Sequence, residues 1–195
     1  MAPLTPDWLR QRFAVATRPV EHIEADDGHS LVAAAVLVPI VLRPSGLTVL
    51  LTQRTAHLRD HAGQVAFPGG RSEPADDSAQ ATALREAHEE VGIDPVQVEV
   101  LGTLGEYRTG TGFVVRPVIG LVTPPLELKL DDFEVADVFE PPLDFLLQAA
   151  NFHRHQIEYR GALREYWAVP WQDRFIWGAT AGMLVNLREF LFGSM

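Results

Sequence analysis

The chain has 195 residues and no cysteine, which excludes disulfides, thiolate metal sites and a cysteine nucleophile. Lysine is almost absent as well: Lys129 stands alone against fifteen arginines. Base composition of the coding DNA is enough to produce that skew. Arginine also grips phosphate oxygens bidentately, so single arginines remain candidates for phosphate binding. Positive charge is short overall, with 16 basic against 26 acidic residues and a formal net charge of −10. A nucleic-acid duplex is therefore not expected as a general partner, because phosphate backbones select basic surfaces. A local arginine or a bound cation can still reverse the sign of one pocket.

Long apolar runs are missing too. The longest, Leu31 to Leu42, is about twelve residues, against roughly 20 for a membrane-crossing helix. The start, Met1-Ala2-Pro3-Leu4-Thr5-Pro6-Asp7, lacks the basic beginning and apolar core of a signal peptide. The expectation is a cytoplasmic protein without membrane contact. No G-x-G-x-x-G follows the first strand, which argues against a doubly wound dinucleotide-binding sheet. There is no internal repeat, linker or low-complexity tract.

What is present fits one globular domain spanning 1–195, with 47% hydrophobic and 22% charged residues. Trp8, Leu9, Phe13 and Ala16 space a first helix over Asp7–Thr17, with Asp7 as its N-cap. Leu31–Leu42 reads as a strand buried on both faces, and Pro44-Ser45-Gly46 as a turn into a strand over Leu47–Thr52. Gln53–Asp77 reads as loop with a short extended piece at Val65–Phe67. A helix over Ser78–Val91 has Asp77 or Ser78 as N-cap and Gly92 at C′. Val96–Tyr107 and Phe113–Val122 are strand-like, and Asp132–Ala150 mixes a strand with a helix after Pro141-Pro142. Phe152–Tyr159 and Leu163–Val169 form a hairpin turning at Arg160-Gly161, and Gly178–Phe192 a last helix. Strands and helices interleave without a regular βαβ rhythm, so the fold class is α/β, a mixed sheet flanked by helices.

The helix beginning at Ser78 breaks a local rule. At helical pitch, Glu89 and Glu90 fall about 60° to one side and about 40° to the other of Glu86. The three carboxylates share a face beside the apolar stripe of Leu84, Ala87 and Val91. Like charges at this spacing cost roughly 0.2–0.5 kcal/mol per pair, and acids in the last turn oppose the helix dipole. Arg85, four residues before Glu89, offsets only part of that. A solvated acidic face is one reading; a divalent cation is the other, since Mg²⁺ and Mn²⁺ prefer carboxylate oxygens. Phe67-Pro68-Gly69-Gly70-Arg71, just upstream, supplies backbone that can approach a ligand closely.

Gly70, Arg85, Glu86, Ala87, Glu89, Glu90, Gly92 and Ile93 resemble the Nudix signature G-x5-E-x7-R-E-U-x-E-E-x-G-U, where U is aliphatic, over about residues 70–93. One extra residue lies between Gly70 and Arg85, and the loop acid is Asp76 or Asp77 instead of Glu. The stretch 50–70 (Leu50-Leu51-Thr52-Gln53-Arg54-Thr55, Arg59, Gly63, Phe67-Pro68-Gly69-Gly70) is similar to the motif of coenzyme A pyrophosphatases, L-L-T-x-R-[SA]-x3-R-x3-G-x3-F-P-G-G, with Thr55 as its one departure. The altered Gly-to-Arg spacing is similar to the same subgroup, as are Glu134-Val135 and Ile176-Trp177-Gly178-Ala179-Thr180-Ala181.

The resemblance implies an α/β/α sandwich and Mg²⁺- or Mn²⁺-dependent cleavage of the pyrophosphate bond of coenzyme A or acyl-CoA. The products would be a 4′-phosphopantetheine and adenosine 3′,5′-bisphosphate. It implies Glu86 and Glu90 as metal ligands, with Glu89 a third ligand or a water-holding neighbour. The general base stays open among Glu89, another cluster carboxylate, Glu134 and, after it, Glu140. Arg85 would orient the acids; Arg54, Arg59, Gly69, Gly70 and Arg71 would contact substrate. His57 and His61 lie in the motif loop, and His88 faces away from the acids. Two alternatives stand beside this: a Nudix enzyme for another nucleoside diphosphate such as ADP-ribose or NAD(H), and a non-catalytic nucleotide sensor.

Overall fold

The computed structural model describes residues 4–15, 22–23, 31–57, 62–159 and 161–193. In chain order the first elements are α1 (Pro6–Val15), β1 (His22–Ile23), β2 (Val32–Arg43), β3 (Gly46–Val49), β4 (Leu51–Arg54), β5 (Val65–Ala66), β6 (Gly69–Arg71) and α2 (Ala79–Val91). Then follow β7 (Val98–Thr103), β8 (Tyr107–Arg108), β9 (Phe113–Val122), β10 (Val135–Phe139) and α3 (Leu143–Leu146). The chain closes with β11 (His153–Tyr159), β12 (Ala162–Trp171), β13 (Arg174–Trp177) and α4 (Gly178–Phe192).

The two richest apolar runs, β2 and β9, pair in parallel from Val32↔Phe113 to Val41↔Val122. A parallel pair cannot close through a tight turn and needs a long crossover; α2 lies in that crossover. Both faces of the pair are covered. Ala35, Leu37 and Val41 share one core with Val118 and Val122 and with Ala83, Ala87 and Val91 of α2. The alternate residues Val38, Ile40, Ile119 and Leu121 share a second core with Leu9 of α1 and Ala181, Leu184 and Leu187 of α4. The two-residue period of a strand thus sends successive side chains to opposite helical layers.

The central sheet is mixed and has seven strands, in the order β1-β8-β9-β2-β3, with β6 added to β2 and β7 to β9. Two three-stranded antiparallel sheets, β10-β4-β5 and β11-β12-β13, complete the architecture. The expected mixed sheet flanked by helices is what is found. Among the described residues no helix is long and apolar enough to cross a membrane.

Several local expectations need correction. Thr5, not Asp7, caps α1: the Trp8 N–H donates to Thr5 Oγ1 at 3.2 Å, Pro6 opens the helix and Asp7 sits in its first turn. Its expected last residues, Ala16 and Thr17, lie outside the described residues, as does Arg160 of the β11–β12 turn. The run Leu47–Thr52 is two strands in different sheets. The Val49 N–H turns to Pro141 O and the Leu50 N–H makes a last bond to β2 at Pro39 O, both at 3.0 Å, before β4 goes on to pair with β10. Strand β13 carried no sequence expectation; its four residues are ordered by pairing with β12.

Candidate active site

Helix α2 is built by local signals. Ser78 Oγ accepts from the Ala81 N–H at 3.1 Å. Gly92 closes the helix with φ 75°, its N–H directed to the carbonyls of Ala87 and His88. Such an αL cap suits glycine, and a Cβ there would come within 2.8 Å of the Lys129 nitrogen. The apolar face of α2, through Ala83, Ala87 and Val91, docks on β2 and β9.

That docking decides which carboxylate goes where. The three acids do not share one face equally: their side chains are 8% exposed for Glu90, 18% for Glu86 and 58% for Glu89. Glu90 lies on the core-facing side with Ala87 and Val91, whereas Leu84 is only half-buried.

The glycine turn meets this face. Strand β6 pairs with β2 through Val36↔Gly69, Ala35↔Gly70 and Ala34↔Arg71, which lays the Gly69-Gly70 backbone across α2. The Gly69 N–H donates to Glu90 Oε2 at 3.0 Å. A Cβ on Gly70 would fall 2.6 Å from the Glu86 carboxylate carbon, and one on Gly69 2.5 Å from Val36 Cα. At Gly69, which would meet backbone, only glycine permits this approach; at Gly70 a side chain would displace the Glu86 carboxylate.

Charge around the cluster is unevenly compensated. Burial pushes the Glu90 carboxyl up to about 7, opposed by the Gly69 N–H and the Arg54 charge and reinforced by Glu134 and Glu86. Burial also raises the Glu86 carboxyl, against the hydrogen bond from Arg85. Arg85 Nη1 donates to Glu86 Oε1 and Glu89 Oε2, both at 2.9 Å. Its Nε and Nη2 grip Asp76 at 3.1 and 3.0 Å, and Nη2 also reaches the Arg71 carbonyl at 3.1 Å.

Asp76 is therefore the loop acid that engages the helix. The Glu73 N–H and the Thr82 hydroxyl also donate to it, both at 2.9 Å. These partners, Arg85 first, hold its carboxyl far below the usual range. Asp77 is exposed and stays at the mouth of the helix, beside Ser78.

Arg54, at the end of β4, lies between Glu90 Oε1 at 3.8 Å and Glu134 Oε2 at 3.6 Å. Glu134 is 42% exposed and close enough to raise the carboxyls of both Glu86 and Glu90. Its loop is held by Thr55, whose N–H donates to Glu134 O at 2.9 Å and whose buried hydroxyl donates to Phe133 O at 2.7 Å.

Not every expected residue reaches the cluster. Glu140, the second choice for a base, forms a bidentate pair with Arg43 at 2.9 and 2.6 Å and accepts from Thr48 Oγ1 at 2.7 Å. Arg43 and Thr48, which pairs with Val41, lie toward the end of β2 away from Val36, which faces Gly69, so Glu140 is held at that far end. It is not at the site. The Arg71 guanidinium covers the Phe113 ring at 5.4 Å. His57 packs on Phe133 at 4.9 Å, and His88 is exposed with Nδ1 near Ile93 O at 3.3 Å. Arg59 and His61 lie outside the described residues.

Sequence reasoning missed Thr55 as the anchor of the Glu134 loop, and the contacts from Arg54 to both carboxylates. Thr55 was visible only as a departure from a motif. Both sets of contacts join segments about 80 or about 36 residues apart, beyond the reach of local pattern.

Among the described residues no three acidic or imidazole side chains enclose an ion by themselves. A hard cation does not require that, because Mg²⁺ is commonly held by one or two carboxylates completed by water and substrate phosphates. The donor set is all oxygen, and the space a side chain would fill at Gly70 adjoins the Glu86 carboxylate. These residues fit Mg²⁺ or Mn²⁺.

Comparison with known proteins agrees in kind. The NUDIX domain model matches residues 32–159. A protein of Escherichia coli (strain K12 / DH10B), named "Uncharacterized Nudix hydrolase NudL", is 49% identical over 155 residues, covering 79% of this chain and 80% of its own. A protein of the same name from Escherichia coli O139:H28 is 45% identical over 185 residues, or 94% and 93% of the two chains. Among solved structures, a Nudix hydrolase from M. smegmatis, RenU, superposes with a TM-score of 0.50 at 24% identity, covering 61% of this chain and 81% of that one. That similarity bears on the fold alone.

Proposed function

We propose that this chain, which belongs to the Nudix hydrolase family, cleaves the pyrophosphate bond of coenzyme A or an acyl-CoA with the help of Mg²⁺ or Mn²⁺. Membership makes it a pyrophosphohydrolase; the substrate and the roles below are our reading. The observation that carries it is the meeting of two separate motifs. Arg54, from the stretch similar to coenzyme A pyrophosphatases, lies 3.8 Å from Glu90 of the acidic helix, and Gly69, which ends that stretch, donates to the same carboxylate. Residues 1–195 are read as one Nudix unit, since α1 and α4 pack into a core with β2 and β9.

Glu86 and Glu90, with Glu89 beside them, are the residues that would hold the cation. When bound, such an ion neutralises phosphate charge and lowers the pKa of a water. Arg85 is a positioning residue: clamped by Asp76, it fixes Glu86 and Glu89 through one nitrogen. Glu134 serves as the general base and accepts a proton from the attacking water on a carboxylate oxygen. Its partial exposure leaves it open to water, and Thr55 holds its loop against the site. Arg54 and Arg59 anchor phosphate oxygens, and the Gly69-Gly70-Arg71 backbone lines the approach without side-chain bulk.

The test is chromatographic identification of products after incubation with CoA and Mg²⁺. The reading expects 4′-phosphopantetheine and adenosine 3′,5′-bisphosphate. It also expects kcat/KM for CoA to exceed that for ADP-ribose; the reverse order removes the substrate assignment and leaves the hydrolase.

A further inference from the structure

Two arginines enter the carboxylate cluster, and they are held in different ways. Arg85 is locked by hydrogen bonds of 2.9–3.1 Å to Asp76, Glu86, Glu89 and the Arg71 carbonyl. Arg54 is not. Its separations of 3.8 Å from Glu90 and 3.6 Å from Glu134 exceed hydrogen-bond length. Its Nε is buried without an acceptor, a costly state for a charged donor. Arg54 thus supplies charge to two carboxylates without the directed bonds that would fix it there. Glu90 is 6% exposed, and the Arg54 guanidinium lies beside it. A planar guanidinium with free donors is also suited to a phosphate oxygen pair.

We infer that Arg54 is an exchangeable counter-ion, which lies between Glu90 and Glu134 in the free protein and passes to a phosphate oxygen of the substrate when Glu90 receives a divalent cation. The inference rests on the metal-site reading above and goes beyond phosphate anchoring. Two like-signed charges compete for Glu90, so Arg54 holds down the divalent-ion affinity of the free chain. A diphosphate that draws the guanidinium away raises that affinity. By reciprocity, bound cation raises affinity for the diphosphate.

The test is Mn²⁺ binding to the whole chain without substrate, read from the free-ion electron paramagnetic resonance signal. Arg54→Met is expected to bind Mn²⁺ about tenfold more tightly than wild type, because one positive charge has left the site. Arg54→Lys, which keeps the charge, is expected to stay near wild type. Equal or weaker binding by Arg54→Met, with wild-type binding intact, overturns the exchange and leaves the metal site standing. Absence of Mn²⁺ binding in both the wild type and Arg54→Met overturns the metal-site reading and this inference together. Should Arg54→Met not fold, the wild-type Arg54 Nε–H resonance decides: it is expected to move as Mg²⁺ is added. A resonance unchanged through Mg²⁺ saturation overturns the exchange.

Discussion

The backbone N–H of Gly69 donates to Glu90 Oε2 at 3.0 Å, so a glycine turn and a helical acid twenty-one residues apart form one structural unit. Gly70 leaves room for the Glu86 carboxylate of α2, while the missing side chain at Gly69 lets β6 lie against Ala35 and Val36 of β2. The buried carboxylate gains a donor, and its charge still costs the fold.

Glu90→Gln separates those two effects. The amide oxygen can still accept from Gly69, while the buried charge is gone. At pH 8 without metal, the melting temperature is expected to equal or exceed that of wild type, because burial holds the carboxyl up to about 7. Turnover of CoA with Mg²⁺ is expected to fall about a hundredfold or more. Wild-type turnover by a folded Glu90→Gln protein removes Glu90 from the ligand set.

Gly70→Ala tests the close approach. Its methyl would fall 2.6 Å from the Glu86 carboxylate carbon, so the acid or the strand must move. The clash is with the end of a flexible side chain, so the loss of stability is expected to stay below the ~1–3 kcal/mol of core overpacking. Urea unfolding should show that small loss, while kcat should fall more than KM rises. A variant with wild-type kcat would mean that the position of the Glu86 carboxylate has slack.

Asp76→Asn and Asp77→Asn make a matched pair. Asp76 grips Arg85 with both oxygens, and Arg85 in turn fixes Glu86 and Glu89. Asp76→Asn is expected to lower kcat about tenfold, as loss of an outer partner of a ligand does. Asp77→Asn should have no such effect. Equal losses in both variants would refute the assignment.

Glu140 gives a pH dependence away from the site. The hydrogen bond from Arg43, chiefly, lowers its carboxyl below the ordinary glutamate value. A depressed folded-state pKa adds stability above the unfolded value, about 4.3, which is lost as pH falls through the folded value. Glu140→Gln should therefore cost about 1 kcal/mol at pH 7. The gap from wild type should shrink below about pH 4.3. Urea midpoints across that range measure it, and kcat at pH 7 should be unchanged.

Elements stabilised by near neighbours could be read from the chain. Helix α2 was framed by Ser78 and Gly92 because capping bonds span only a few residues. Strands β2 and β9 were visible because burial on both faces demands an unbroken apolar run. The crowding of Glu86, Glu89 and Glu90 followed from helical pitch alone. Docking of α2 on the sheet then ranked them, burying Glu90 and exposing Glu89. Packing across layers also chose Asp76 over Asp77, set Arg54 between Glu90 and Glu134, and carried Glu140 to the far end of β2. Local spacing encodes which side chains share a helix or a strand. Partners distant along the chain are chosen only when the hydrophobic layers close and fix where each charge must find its neutralising group.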